Sequence, residues 1–121
     1  MREVHLKLSP RQMSILVCAL QVAVYLKDAI EEDAERTRDS SLLMSLPTIE
    51  IMANMRAVLE RRLTKGRWER KTEYAITLKS VRAAVMISAI GHSINDADWG
   101  DVLWKDSAQR IINEINDKLW R

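Results

Sequence analysis

One segment of the chain could bind phosphate or an acidic partner. It contains six basic side chains and a tryptophan, namely Arg61, Arg62, Lys65, Arg67, Trp68, Arg70 and Lys71. Phosphates attract arginine and lysine, and an exposed indole can stack on an unpaired base, so the segment is typical of a single-strand binder. Glu60 and Glu69 interrupt the cations, however, and no zinc-finger or helix-turn-helix pattern accompanies them. We favour the interpretation in which Trp68 anchors a loop in the core and the cations form the solvated end of a helix.

Charge is segregated along the chain, although the formal net charge is only +2. Residues 56–82 contain nine basic and three acidic side chains, a net of +6, whereas residues 28–39 contain six acidic and two basic ones, a net of −4. Such asymmetry can mark a face for nucleic acid or for an oppositely charged protein.

Four aspartates that follow His92 could in principle hold a metal ion. They are Asp96, Asp98, Asp101 and Asp106. A calcium loop starting at Asp96 needs glycine at its sixth position and glutamate at its twelfth, but Gly100 is fifth and Ser107 is twelfth. Turn formation and helix capping explain the aspartates better. Since His5 and His92 belong to no cluster with ligand spacing, the sequence predicts neither a metal nor a cofactor.

Catalytic motifs are missing from the sequence. It contains no Ser-His-Asp or Cys-His arrangement, no P-loop and no Rossmann glycine pattern, which predicts a protein that is not an enzyme. The single cysteine, Cys18, excludes an intramolecular disulfide and fits a reducing compartment. Its apolar neighbours Val17 and Ala19 predict a small buried side chain and not a nucleophile.

An apolar run over residues 13–26, in which only Ser14 and Gln21 are polar, dominates the first third of the chain. Crossing a membrane takes roughly 20 apolar residues, and the run lacks an A-x-A-like cleavage site at its end. We therefore interpret it as a buried helix of a cytoplasmic protein with no membrane partner. A helix that is apolar nearly all round must be covered on several sides, by its own bundle or by another chain.

Caps and periodicity place the first two helices. Ser9 caps a helix that runs from Pro10 to about residue 36. A connection over residues 37–46 follows, and its apolar residues are expected to anchor it in part; these are Leu42, Leu43 and Met44. The second helix starts near Pro47 and ends at Gly66, because glycine after a basic residue is a common helix end.

The second half of the chain contains two further helices. One covers at least residues 80–90 and ends at Gly91. After a short helical turn at residues 102–104, the last one is capped by Asp106 or Ser107. Its core-facing side is expected to include two tryptophans, Trp104 and Trp120. The fold class is thus mainly α, a compact bundle of four to five helices in a single domain of residues 1–121.

Two short segments, residues 3–8 and 72–78, alternate apolar and polar side chains as strands do, although the second also fits a helical stripe. Each is followed by a serine, Ser9 or Ser80, that is expected to cap an apolar helix. If both are strands, they should pair with each other. If only the first is a strand, its partner is the same strand of a second copy, which makes an intermolecular ribbon. A third alternative is an irregular tail packed by Leu6 and Leu8.

A second copy of the chain is the partner that we favour for the apolar first helix. The side chains expected to mediate this self-association lie on the first strand and the first helix. They are Val4, Leu6, Leu8, Ile15 and Val22. The sequence predicts a homo-oligomer, with a dimer favoured.

The opening sequence VHLKLSPRQMSILVCAL, residues 4–20, resembles the start of many small uncharacterised proteins encoded by bacteriophages. This resemblance defines no single family and assigns no site residues. It implies a small accessory protein that acts by binding, such as an inhibitor of a host or defence protein.

Two functions therefore remain as hypotheses. The first is a non-catalytic, self-associating module that binds a protein partner in the cytoplasm. The alternative is a nucleic-acid-binding protein that uses the basic segment 61–71.

Overall fold

The computed structural model describes residues 3–95 and 102–121, with every side chain in these ranges except those of residues 22–24, 102 and 103. The elements in chain order are β1 (Val4–Leu8), α1 (Pro10–Thr37), a 3₁₀ helix (Ser40–Ser45), α2 (Leu46–Trp68), β2 (Tyr74–Leu78), α3 (Ser80–Ile94) and α4 (Val102–Leu119). The predicted mainly α bundle with a short β segment is confirmed.

β1 and β2 pair with each other in an antiparallel two-stranded sheet, which was one of the three alternatives. Leu6 pairs with Ile76, 70 residues later in the chain, and Val4 pairs with Leu78. Each strand is followed two residues later by an apolar helix, α1 or α3. The chain therefore contains a strand–helix unit twice, and the strand pairing is symmetric about Leu6 and Ile76.

The start of α1 is built as predicted. Ser9 Oγ accepts a hydrogen bond from the backbone N–H of Gln12 at 3.2 Å, and the Ser9 N–H donates to Gln12 Oε1 at 2.9 Å. This reciprocal capping box satisfies two backbone donors that a helix end otherwise leaves unpaired. The second unit differs from the prediction, because Lys79 occupies the cap position and Ser80 is the first residue of α3.

Two glycines lie within helices and not at their ends. α2 continues past Gly66 to Trp68, and α3 continues past Gly91 to Ile94, so both predicted helix ends were wrong. A Cβ atom on Gly66 would lie 2.6 Å from Tyr74 Cε1, which is closer than real Cβ contacts come. The physical reason for Gly66 is thus the close approach of the Tyr74 ring to the backbone of α2.

The last helix begins earlier than predicted. α4 starts at Val102 and includes the short turn expected before it, so Asp106 and Ser107 lie inside the helix and do not cap it. Trp104 packs partly against the core, as expected. Trp120, by contrast, is 79% exposed, because it follows the last residue of α4 and extends beyond the packed part of the helix.

The core lies between the sheet and the four helices, and α1 and α3 contribute much of it. Its largest wholly buried helical side chains include Met13, Leu16, Leu20, Met86, Ile90 and Ile115. At about 1.5 Å per residue, α1 is about 42 Å long and α3 only about 22 Å. Beyond residue 24, Ala34 is the one buried side chain among those described in α1. The second half of α1 and the first half of α2 form a helical hairpin, whose inner side chains Ile49, Met52 and Met55 belong to the core.

The apolar run of α1 is covered on only part of its circumference. Met13, Leu16 and Leu20 are buried, whereas Cys18 is exposed and Tyr25 is 70% exposed. The prediction of a buried Cys18 was wrong, because this residue lies on the side of α1 that the neighbouring helices leave uncovered. Within the described residues, two helical stretches could cross a membrane by length and composition alone, Pro10–Thr37 and Ser40–Trp68.

Candidate interaction surface on helix α2

Helix α2 presents a continuous exposed stripe on the side opposite the core. Its buried residues recur every three or four positions, as in Met52, Met55, Leu59 and Leu63. The residues half a turn away follow the same spacing on the outside and are all exposed. We call this stripe the α2 outer face: Glu50, Asn54, Ala57, Arg61, Thr64 and Trp68.

The α2 outer face borders an open groove of about 740 Å³ at the carboxyl end of the helix. Arg61, Thr64 and Trp68 line it together with side chains from the adjacent turns. Trp68 is 87% exposed, so the prediction that it anchors a loop in the core was wrong. The physical reason is that Trp68 is the last residue of α2 and lies on the outer stripe, while Leu63 and Gly66 of the same helix face the core.

The charges around the groove are unevenly paired. Arg56 donates to Glu60 at 2.8 Å, and Lys65 lies 4.0 Å from Glu69. Arg61 donates only to the backbone carbonyl of Ala57, at 3.4 Å, among the contacts of the described residues. A guanidinium without an acidic partner remains available to an outside carboxylate or phosphate.

The basic segment predicted from the sequence is divided between several surfaces. Arg61, Lys65 and Trp68 line the groove. Arg62 instead donates to the carbonyl oxygen of Ala75 at 2.7 Å. Lys71 lies 5.7 Å from the centroid of the Tyr74 ring, within the range of a cation–π interaction. The structure therefore brings together only part of the predicted patch.

The remaining two cations of that segment, Arg67 and Arg70, are exposed. Arg70 has a φ of 56°, in the left-handed region, where the chain leaves α2 and turns towards β2. Because of this turn, Arg70 and Lys71 do not continue the α2 outer face.

The tip of the hairpin carries a partly exposed apolar surface. The three large residues of the 3₁₀ helix are exposed to 37% for Leu42, 41% for Leu43 and 80% for Met44. Leu42 and Leu43 thus keep more than half of their surface covered, in line with the predicted partial anchoring, whereas Met44 does not anchor the connection. Leu43 also lines a shallow surface groove with two acidic residues of α1, Glu31 and Glu35.

The tip is held by a local hydrogen-bond network. Asp39 Oδ1 accepts from the Ser41 hydroxyl at 2.6 Å and from the Ser41 N–H at 3.0 Å. These two hydrogen bonds, the side-chain one first, lower the pKa of the Asp39 carboxyl below its usual range. The 3₁₀ helix is therefore a hydrogen-bonded element at the end of the hairpin, and its conformation sets the positions of its apolar side chains.

The strand and helix residues predicted to mediate self-association belong to the core of the same chain. Val4 and Leu8 are 0% exposed, Leu6 is 1% exposed and Ile15 is 2% exposed. Because β2 and the helices already cover them, they offer no surface to a second copy. The side chain of Val22 lies outside the described residues.

The candidate metal ligands are not brought together in the part of the chain that the structure describes, where no group of three or more His, Cys, Asp or Glu side chains could hold an ion. His5 Nδ1 lies 3.1 Å from Thr77 Oγ1 across the sheet. Asp106 lies 3.9 Å from Arg110 within α4. The other predicted ligands, Asp96, Asp98 and Asp101, lie outside the described residues.

No family model, no curated protein and no solved structure matches this chain.

Proposed function

We propose that this protein is a non-catalytic, self-associating interaction module of the cytoplasm. The observation that carries the proposal is the exposure of large apolar side chains on one helical hairpin, Leu43 and Met44 at its tip and Trp68 at the other end of α2. Neighbouring exposed apolar side chains, such as those at the tip, are typical of sites of protein association. Tryptophan is also enriched among the residues that contribute most to binding at protein interfaces.

The nature of the surface supports a protein partner over a small ligand. The groove beside Trp68 is open along the helix and contains both acidic and basic side chains. A mixed rim of charges around an exposed aromatic residue is typical of protein interfaces. If the chain is a phage accessory protein, its host partner would bind to the same side chains.

Sedimentation velocity and native mass spectrometry over the micromolar range test this proposal. We expect a mass above that of the 14.0 kDa chain and a concentration-dependent equilibrium. A single species of monomer mass at every concentration would contradict self-association. The test variant is Trp68→Ala. It removes an exposed side chain, so it should leave the fold intact and lower the oligomer fraction.

Nucleic-acid binding is the second candidate function, and one observation favours it. Trp68 lies exposed beside Arg61 and Lys65, and this combination would allow base stacking and phosphate contacts together. Affinity for single-stranded DNA or RNA should then fall steeply with salt and drop in the R61E/K65E variant, because both residues line the groove with Trp68. The acidic residues Glu60 and Glu69 in the same groove make this candidate the weaker one.

A further inference from the structure

The order of residues along the α2 outer face is complementary to itself in the antiparallel direction. The stripe begins with an acidic residue, Glu50, has small side chains at its centre, Asn54 and Ala57, and ends with a cation and an aromatic residue, Arg61 and Trp68. Two copies of such a helix match when they run in opposite directions, since the acidic end of each meets the basic end of the other. Self-complementarity of this kind is what a two-fold interface requires.

We infer that a second copy of this chain docks along the α2 outer face, with the two α2 helices antiparallel and the two-fold axis between Asn54 and Ala57. This inference rests on the proposed self-association and names its surface. Glu50 lies four residues before Asn54, and Arg61 lies four residues after Ala57. Glu50 of one copy therefore faces Arg61 of the other. Trp68 lies seven residues after Arg61, and Leu43 lies seven residues before Glu50. Trp68 of the second copy therefore reaches the 3₁₀ helix at the tip, beside Leu43.

The centre of the stripe allows the two helices to come close. Ala57 and Asn54 are exposed and small, and Ala53 beside them is half-buried. Packed helices lie about 8–10 Å apart, and the smaller distances require small residues at the crossing point. A bulky side chain at this point would hold the helices apart, whereas the observed residues do not.

The charges favour the antiparallel arrangement over the parallel one. Neither Glu50 nor Arg61 forms an ion pair within the described residues, so each is available to the second copy. In a parallel dimer Glu50 would face Glu50 of the second copy, and Arg61 would face Arg61. Exposed ion pairs of this type decide orientation more than affinity.

The apolar contacts at the two ends supply the area that a dimer needs. A stable interface buries about 800 Å² on each partner, which is about a tenth of the 8039 Å² surface of this chain. A tryptophan can bury about 150–250 Å², so the two copies of Trp68 would contribute about a quarter of the total. The exposed Leu42, Leu43 and Met44 of the opposite tip provide the complementary apolar surface.

A charge-swap experiment tests the arrangement. E50R and R61E each create like-charge contacts at both ends of the dimer, and we expect each to raise the dimer dissociation constant at least about tenfold. The double variant E50R/R61E restores opposite charges across the interface, so its dissociation constant should return towards that of the wild type. Sedimentation equilibrium measures all four proteins, and circular dichroism confirms that each is folded.

Two variants control for the change in net charge. E73R and K7E alter exposed residues away from α2 by the same number of charges as E50R and R61E, and they should leave dimerisation unchanged. A double variant that dissociates as readily as the single variants overturns the antiparallel arrangement, even if the wild type is a dimer. A wild-type monomer that binds single-stranded oligonucleotides through Arg61 and Trp68 overturns both the arrangement and the proposed self-association.

Discussion

The guanidinium of Arg62 donates a hydrogen bond of 2.7 Å to the carbonyl oxygen of Ala75, a residue of β2. The opposite strand has a matching contact, because Lys118 Nζ in α4 donates to the carbonyl oxygen of His5 at 2.6 Å. Ala75 follows His5 by 70 residues, the offset that also relates Ile76 to its partner Leu6. Each strand of the sheet thus receives one cation from a helix, and the strand edges are less open to a further strand.

The contact between Arg62 and Ala75 should contribute measurably to stability. Replacing Arg62 with Met keeps the aliphatic stem and removes the donor, so the free energy of unfolding should fall by about 1 kcal/mol. Urea denaturation measures this change. The matched control is Arg67→Met, which alters an exposed cation of the same helix whose guanidinium has no hydrogen-bond partner among residues 3–95 and 102–121. Equal losses in the two variants would show that the bond to the strand contributes nothing.

Two helical glycines should respond to alanine in opposite directions. Gly66→Ala places a methyl group against the Tyr74 ring and should destabilise the protein by about 1–3 kcal/mol. No atom lies within 4 Å of a Cβ built on Gly91, so Gly91→Ala should stabilise α3 by about 0.5–1 kcal/mol. Thermal unfolding of both variants checks the prediction. A shift in the same direction for both would contradict the assigned role of Tyr74.

The two sides of α1 should differ in their tolerance of substitution. Leu20 is 0% exposed, and Leu20→Ala should cost about 2–5 kcal/mol of stability through lost burial and a residual cavity. Cys18 is exposed, so Cys18→Ala should change stability by no more than about 0.5 kcal/mol. A thiol reagent should modify Cys18 in the folded protein without denaturant. A Cys18 that reacts only after unfolding would show that this side of α1 is covered.

The titration of Asp39 reports the structure of the hairpin tip. Hydrogen bonds from Ser41 favour the charged carboxylate, so the pKa of Asp39 lies below its usual range in the folded protein. Because the pKa is lowered on folding, the stabilising effect is present above the unfolded pKa and is lost as pH falls through the folded pKa. Carbon-detected NMR titration of the carboxyl group measures this value.

Removal of the Ser41 hydroxyl should change that titration in a known direction. In Ser41→Ala the donor at 2.6 Å is lost while the N–H donor remains, so the pKa of Asp39 should rise part of the way towards its usual value. Ser45→Ala is the matched control, because the Ser45 hydroxyl donates to the carbonyl oxygen of Leu42 and not to Asp39. An Asp39 pKa that is the same in Ser41→Ala and in the wild type would contradict the hydrogen-bond network.

Local patterns in the sequence were sufficient for much of the secondary structure. Ser9 and Pro10 marked the start of α1 correctly, because a capping box depends on residues only three positions apart. The alternation of residues 3–8 and 72–78 allowed a strand in each segment, and the pairing of the two strands with each other was one of three alternatives. Gly66 was misinterpreted as a helix end, since its requirement for a small residue comes from Tyr74, which lies eight positions later and on another element.

The sequence by itself determined which segments form the helices and which of their faces are apolar, because these properties depend on caps and on side-chain periodicity. Only the tertiary structure decided which apolar residues are covered. Leu20 is buried because its side of α1 faces the core, whereas Cys18, two positions earlier, lies on the side of the same helix that no other described element covers. Trp68 is exposed because α2 continues past Gly66 and places this residue on its outer face, whereas the sequence predicted a helix end at Gly66.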